Sequence, residues 1–100
     1  PVSAAAAGLS LRRVNDAPRP LIAVDLTAPT DKAVALFVEG PTPEWALPIP
    51  TPAQGAPAGH RHFGFVLDGL PPGVDPKGHF ELTFTMVEGD RAIEVKTHLD

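Results

Sequence analysis

Thirteen prolines and nine glycines in a chain of 100 residues leave little room for long helices. Proline removes a backbone donor and restricts the residue before it, and glycine admits the positive φ that turns need. Such a chain folds as short extended runs separated by turns. The runs bear this out. Leu21–Ala28 (LIAVDLTA) alternates, with Ile22, Val24 and Leu26 on one side and Ala23, Asp25 and Thr27 on the other. His79–Val87 (HFELTFTMV) alternates most cleanly, with Phe80, Leu82, Phe84 and Met86 against His79, Glu81, Thr83 and Thr85. This is the period of a half-buried strand.

Further strands are expected at Leu9–Val14, Ala33–Glu39, His60–Asp68 and Ala92–Leu99, the last joined to its predecessor by a tight Glu88–Arg91 turn. Pro29–Lys32 reads as a turn and Gly69–Gly78 as a proline-rich crossover. Trp45–Ile49 reads as an extended edge segment, because Pro48 and Pro50 exclude it from a central strand. Thr51–Gly59 reads as a flexible loop and residues 1–8 as a flexible lead-in. Residues 9–100 then form one domain, an all-β immunoglobulin-like β-sandwich of about seven antiparallel strands, with a small closed barrel as the alternative. Leu, Ile, Val and Phe total 27 residues, enough for one modest core.

Charge and composition exclude several functions. The net charge is −4, and the sole basic cluster is Arg12–Arg13. Nucleic-acid binding needs a positive face that displaces counterions, and none is expected here. No apolar run approaches the roughly 20 residues that span a bilayer, so no direct membrane insertion is expected of this segment. With no cysteine there is no disulfide, no thiolate nucleophile and no zinc–thiolate site. The chain contains no G-x-S-x-G, no phosphate-binding loop and no H-E-x-x-H.

Four histidines invite a metal reading. His60 and His62 fall on one strand face, opposite Phe63 and Phe65, at a spacing that can chelate copper or zinc. His79 and His98 form a second, looser pair across the last hairpin. Solvated surface histidines are the plainer reading of both pairs, since a zinc site takes three or four ligands. Asp68 with Asp75, and Glu88 with Asp90, are the carboxylate pairs, both in places where turns recruit acidic residues. Trp45 is the single tryptophan and serves either as a contact anchor or as a plug at the edge of the core. Phe37 carries the same ambiguity, on a strand apolar on both faces. The loop from Leu70 to Val74 offers a rigid recognition surface.

Leu36–Pro48 (LFVEGPTPEWALP), Phe65–Gly73 (FVLDGLPPG) and Leu82–Val95 (LTFTMVEGDRAIEV) resemble a periplasmic module of the thiol:disulfide interchange proteins of the DsbD and ScsB type. The resemblance covers about residues 20–99 and is one of scaffold. In those proteins paired immunoglobulin-like units precede a transmembrane electron-carrying domain, and the reactive cysteines lie in a neighbouring unit. The resemblance implies a periplasmic, non-catalytic unit of a protein-disulfide reductase of the cytochrome c biogenesis type, one that positions or docks the redox-active domain. Its implied partners are the neighbouring redox-active and transmembrane domains of the same chain and periplasmic thiol proteins. Candidate contact residues are Trp45, Phe37, Leu70 and Val74, and no cofactor is implied for this unit. The alternative is a small periplasmic copper-binding module seeded by His60 and His62, which the copper tolerance associated with ScsB-like members favours slightly.

Overall fold

The computed structural model describes residues 2–28 and 31–100. Among them are eight strands and one short helix: β1 Val2–Ser3, α1 Ala4–Ala7, β2 Leu9–Arg13, β3 Leu21–Thr27, β4 Val34–Glu39, β5 Thr51–Ala53, β6 His60–Val66, β7 Phe80–Glu88 and β8 Arg91–Leu99. They form two four-stranded sheets, in the orders β1-β8-β7-β4 and β2-β3-β6-β5. Every pairing is antiparallel except β1 with β8, which is parallel.

The alternation seen in the sequence sets which faces meet. Ile22, Val24 and Leu26 of β3 and Phe63 and Phe65 of β6 are buried, as are Leu82 and Phe84 of β7 and Val95 and Leu99 of β8. One hydrophobic cluster draws on both sheets. Phe65 and Phe84 meet across it edge to face, with ring centroids 6.1 Å apart. Burying a phenylalanine is worth roughly 1.5–3 kcal/mol, so this pair adds substantially to the gain from folding.

The β7–β8 turn has two loop residues, since Glu88 pairs with Arg91. Gly89 has a φ of 62° while Asp90 does not take a positive value. A positive φ at the first loop residue alone marks a II′ turn, whose twist suits a tight hairpin.

Two segments differ from the sequence reading. Thr51–Ala53, expected as loop, pairs with β6 as an edge strand. Pro52 is tolerated there because an edge position can face its missing N–H outward. Residues 2–8, expected as a loose lead-in, carry β1 and a helical turn capped by the Ser3 hydroxyl and by Gly8. Alanine-rich sequence has no β period, and it is the neighbouring β8 that recruits β1. The strand count is therefore eight rather than about seven. The turn expected at Pro29–Lys32 lies partly outside the described residues.

Candidate functional site

Because Val24 and Leu26 point into the core, Asp25 and Thr27 point outward from β3. Phe63 and Phe65 point inward, so His60, His62, Gly64 and Val66 face outward from β6. The β3–β6 register sets Asp25 opposite His62 and Thr27 opposite His60. The Asp25 carboxylate consequently lies between both imidazoles. His60 Nδ1 is 3.0 Å from Asp25 Oδ2, and His62 Nε2 is 2.9 Å from Asp25 Oδ1. Each imidazole donates an N–H to the carboxylate, which fixes the tautomers when the rings are neutral. About a third of each of these three side chains is exposed.

This arrangement bears on two chemistries. One carboxylate takes up a nitrogen from each ring, and among the described residues no group of three His, Cys, Asp or Glu side chains is arranged to hold a metal ion. Ser10 pairs with Asp25 on the other side, giving the cross-strand order Ser10, Asp25, His62. A nucleophilic triad needs the imidazole in the middle, where it can take the hydroxyl proton. Here the carboxylate occupies the middle, so Ser10 is not placed next to an imidazole.

The cluster forms one end of a groove across the outer face of the β2-β3-β6-β5 sheet. Arg12, Asp25, Gln54 and His62 line its polar end, a depression of about 560 Å³. Ala53 is shared with a second depression of about 380 Å³ lined by Leu21, Ile49, Gly64 and Val66. There Leu21 is 37% exposed, Val66 40% and Ile49 66%.

The other candidates from the sequence separate in space. His79 sits 3.7 Å from Asp100, both well exposed, and His98 lies opposite Glu81. Asp68 accepts from the Gly69 N–H and lies 3.6 Å from Arg19, while Asp75 accepts from the Lys77 N–H. Both are turn carboxylates. Trp45 is half-buried, its ring edge-on to Phe80 at 5.0 Å and so close over Gly40 that a Cβ there would lie 2.3 Å from it. The Trp45 N–H donates to the Thr42 carbonyl. The Thr42 hydroxyl and the residue's own backbone N–H hold the Glu44 carboxyl below its ordinary range. Leu70 packs against the core and Val74 is half-buried, whereas Phe37 is 43% exposed on β4.

Two residues escaped the sequence reading. Asp25 is one; its histidine partners lie 35 and 37 residues along the chain, and only the β3–β6 register joins them. Arg13 is the other. Its guanidinium donates to the main-chain oxygens of Asp100 at 2.7 Å, Gly78 at 2.6 Å and Pro76 at 3.2 Å, tying β2 to the β6–β7 loop and the end of β8. Its signal was parity, since Leu9, Leu11 and Arg13 share the inward face.

Comparison of the chain with protein-family models, curated proteins and solved structures finds no match. Among the described residues no helix is long and apolar enough to cross a membrane.

Proposed function

We propose that this chain is an immunoglobulin-like, non-catalytic module of a periplasmic thiol:disulfide interchange membrane protein, and that it positions or docks the redox-active domain. The strand order supports the fold assignment. The order β2-β3-β6-β5 facing β8-β7-β4 repeats the adjacency of strands A-B-E-D and G-F-C in a constant-type immunoglobulin domain, with β1 added beside β8. Thiol exchange needs a thiolate, and this chain has no cysteine to supply one. The resemblance over residues 20–99 supports the parent.

The observation that carries docking is the apolar end of the groove. Leu21, Ile49 and Val66 converge on one depression rather than being scattered, and converging exposed apolar side chains mark contact surfaces. The deciding experiment is to read the frame on either side of this segment. A cysteine pair upstream with several apolar spans of roughly 20 residues downstream supports the reading. A stop codon after Asp100 with an export signal directly before Pro1 overturns it. In the full-length protein, Ile49→Asp is then expected to lower disulfide-reductase turnover while the far-ultraviolet dichroism of the module is unchanged.

A second reading is a copper-binding module seeded by the two imidazoles of His60 and His62, which share the outer face of β6. Copper there would displace both N–H donors from Asp25. Calorimetric titration with Cu(II) is expected to give micromolar or tighter binding that disappears in His62→Ala. A titration without heat removes this reading.

A further inference from the structure

We propose that the free edge of β4 pairs with the β4 edge of a second copy of this chain, forming a two-fold antiparallel dimer with one continuous sheet. The fold has four sheet edges: β1, β4, β2 and β5. Three of them are blunted. β1 is two residues long, β5 contains Pro52, and β2 carries Arg12 and Arg13. Short strands, prolines and charges are the means by which proteins discourage edge pairing. β4, Val34–Glu39, has none of them before its last residue.

The hydrogen-bond phase of β4 follows from the hairpin. In a two-residue loop the flanking pair, Glu88 and Arg91, exchanges both backbone bonds, so Glu88 points toward β8. Alternation then points Val87, Thr85 and Thr83 toward β4, where they meet Ala35, Phe37 and Glu39. The N–H and C=O groups of Val34, Leu36 and Val38 are left facing away from the sheet. No backbone hydrogen bond outside the β4–β7 ladder involves any of them among the described residues. In the neighbouring Thr42–Leu47 segment, which approaches Val38, the Trp45 N–H donates to the Thr42 carbonyl and the Ala46 N–H to the Gly69 carbonyl.

The edge is self-complementary. One two-fold register uses all three outward residues: Leu36 opposite itself, and Val34 opposite Val38 of the second copy. That same register sets the exposed Phe37 against the exposed Ala35, large against small, twice. Glu39 and Glu44 lie at one end of β4. Lys32 lies at the other beside Asp31, with the Arg61 guanidinium donating to the Lys32 carbonyl at 2.9 Å. Antiparallel pairing sets Glu39 of each copy diagonal to Lys32 of the other, while Asp31 and Glu88 leave that end without a net positive charge. The edge is only about 20 Å long, so the dimer is weak, below the standard interface class.

Sedimentation velocity from about 10 μM to 1 mM, with amide exchange by NMR, tests this. Dimer is expected to accumulate toward the upper concentrations, with the Val34, Leu36 and Val38 amides gaining protection in step. Phe37→Ala is expected to weaken association roughly tenfold, a few-fold for each of the two symmetric contacts. The swap Ala35→Phe with Phe37→Ala restores it, because large again meets small. Both positions are exposed, so folding is not at stake. A monomer at 1 mM with those amides exchanging fast overturns the proposal. So does protection that arises only on adding a different protein, which would assign the edge to a foreign strand.

Discussion

Phe84 is the most informative side chain to truncate. It is fully buried at the centre of β7, and its ring meets Phe65 of the opposite sheet edge to face. A phenylalanine buries roughly 200 Å², which at about 25 cal/mol per Å² is close to 5 kcal/mol as an upper bound. Measured core Phe→Ala changes cost about 3–5 kcal/mol. Phe84→Ala is therefore expected to cost about 4 kcal/mol, a large part of the 5–15 kcal/mol typical of a small domain. Phe65→Ala is expected to cost about the same. The double variant should cost less than the sum by about 0.5–1.5 kcal/mol, the worth of an edge-to-face pair. Phe37→Ala, on the exposed face of β4, serves as the control and should cost under about 1 kcal/mol. Urea unfolding followed by far-ultraviolet dichroism, with m-values compared across variants, supplies all four numbers. A cost under about 1 kcal/mol for Phe84→Ala, or strict additivity with Phe65→Ala, would refute a core shared by the two sheets.

Other variants probe the loops and clamps. Gly69 has a φ of 77°, and a Cβ there would lie 2.1 Å from the Ala46 carbonyl oxygen. Gly69→Ala is expected to cost roughly 2–4 kcal/mol, against about 1 kcal/mol for Gly89→Ala, whose surroundings are open; equal losses in thermal melts would deny the close approach. Arg13→Met removes the donors to three main-chain oxygens, and a loss of about 2–3 kcal/mol is expected; a neutral result would mean the clamp adds nothing to stability. The lowered Glu44 carboxyl stabilises the Thr42–Trp45 turn at pH values above its unfolded-state value, and that stabilisation is lost as pH falls through the lower folded value. Trp45 fluorescence should report this acid step, and Glu44→Gln should abolish it; the same step in the variant would assign it to another group.

Much of the fold was legible because alternation is a local signal. β3, β6, β7 and β8 each bury residues their pattern selects, and Gly89-Asp90 marks the last hairpin. β4 looked two-sided because Phe37 and Ala35 are apolar yet exposed at an edge. β5 was hidden by Pro50 and Pro52, which argue locally for a loop while the β6 edge accepts them. β1 and α1 have no amphipathic period, so tertiary contact with β8 alone defines them. The shared face of His60 and His62 was legible from spacing. Asp25 was not, because its partners are set by register between strands far apart in the chain. Trp45 carried two readings; its half-buried ring packs over Gly40 against Phe80.

The pairing of β1 with β8 also bears on the order of folding. Val2 pairs with Val95, at the two ends of the described chain. Closing a loop of that length from the unfolded chain costs about 4 kcal/mol of entropy, for a ladder only two residues long. That contact becomes favourable only after β8 is docked, so β1 and α1 are the last elements to assemble and the first to fray. While they are away, the nine-residue β8 is an open edge. The first few residues thus act as a late-arriving guard against aggregation, and warming or trimming them would reveal stickiness in a molecule whose core is still intact.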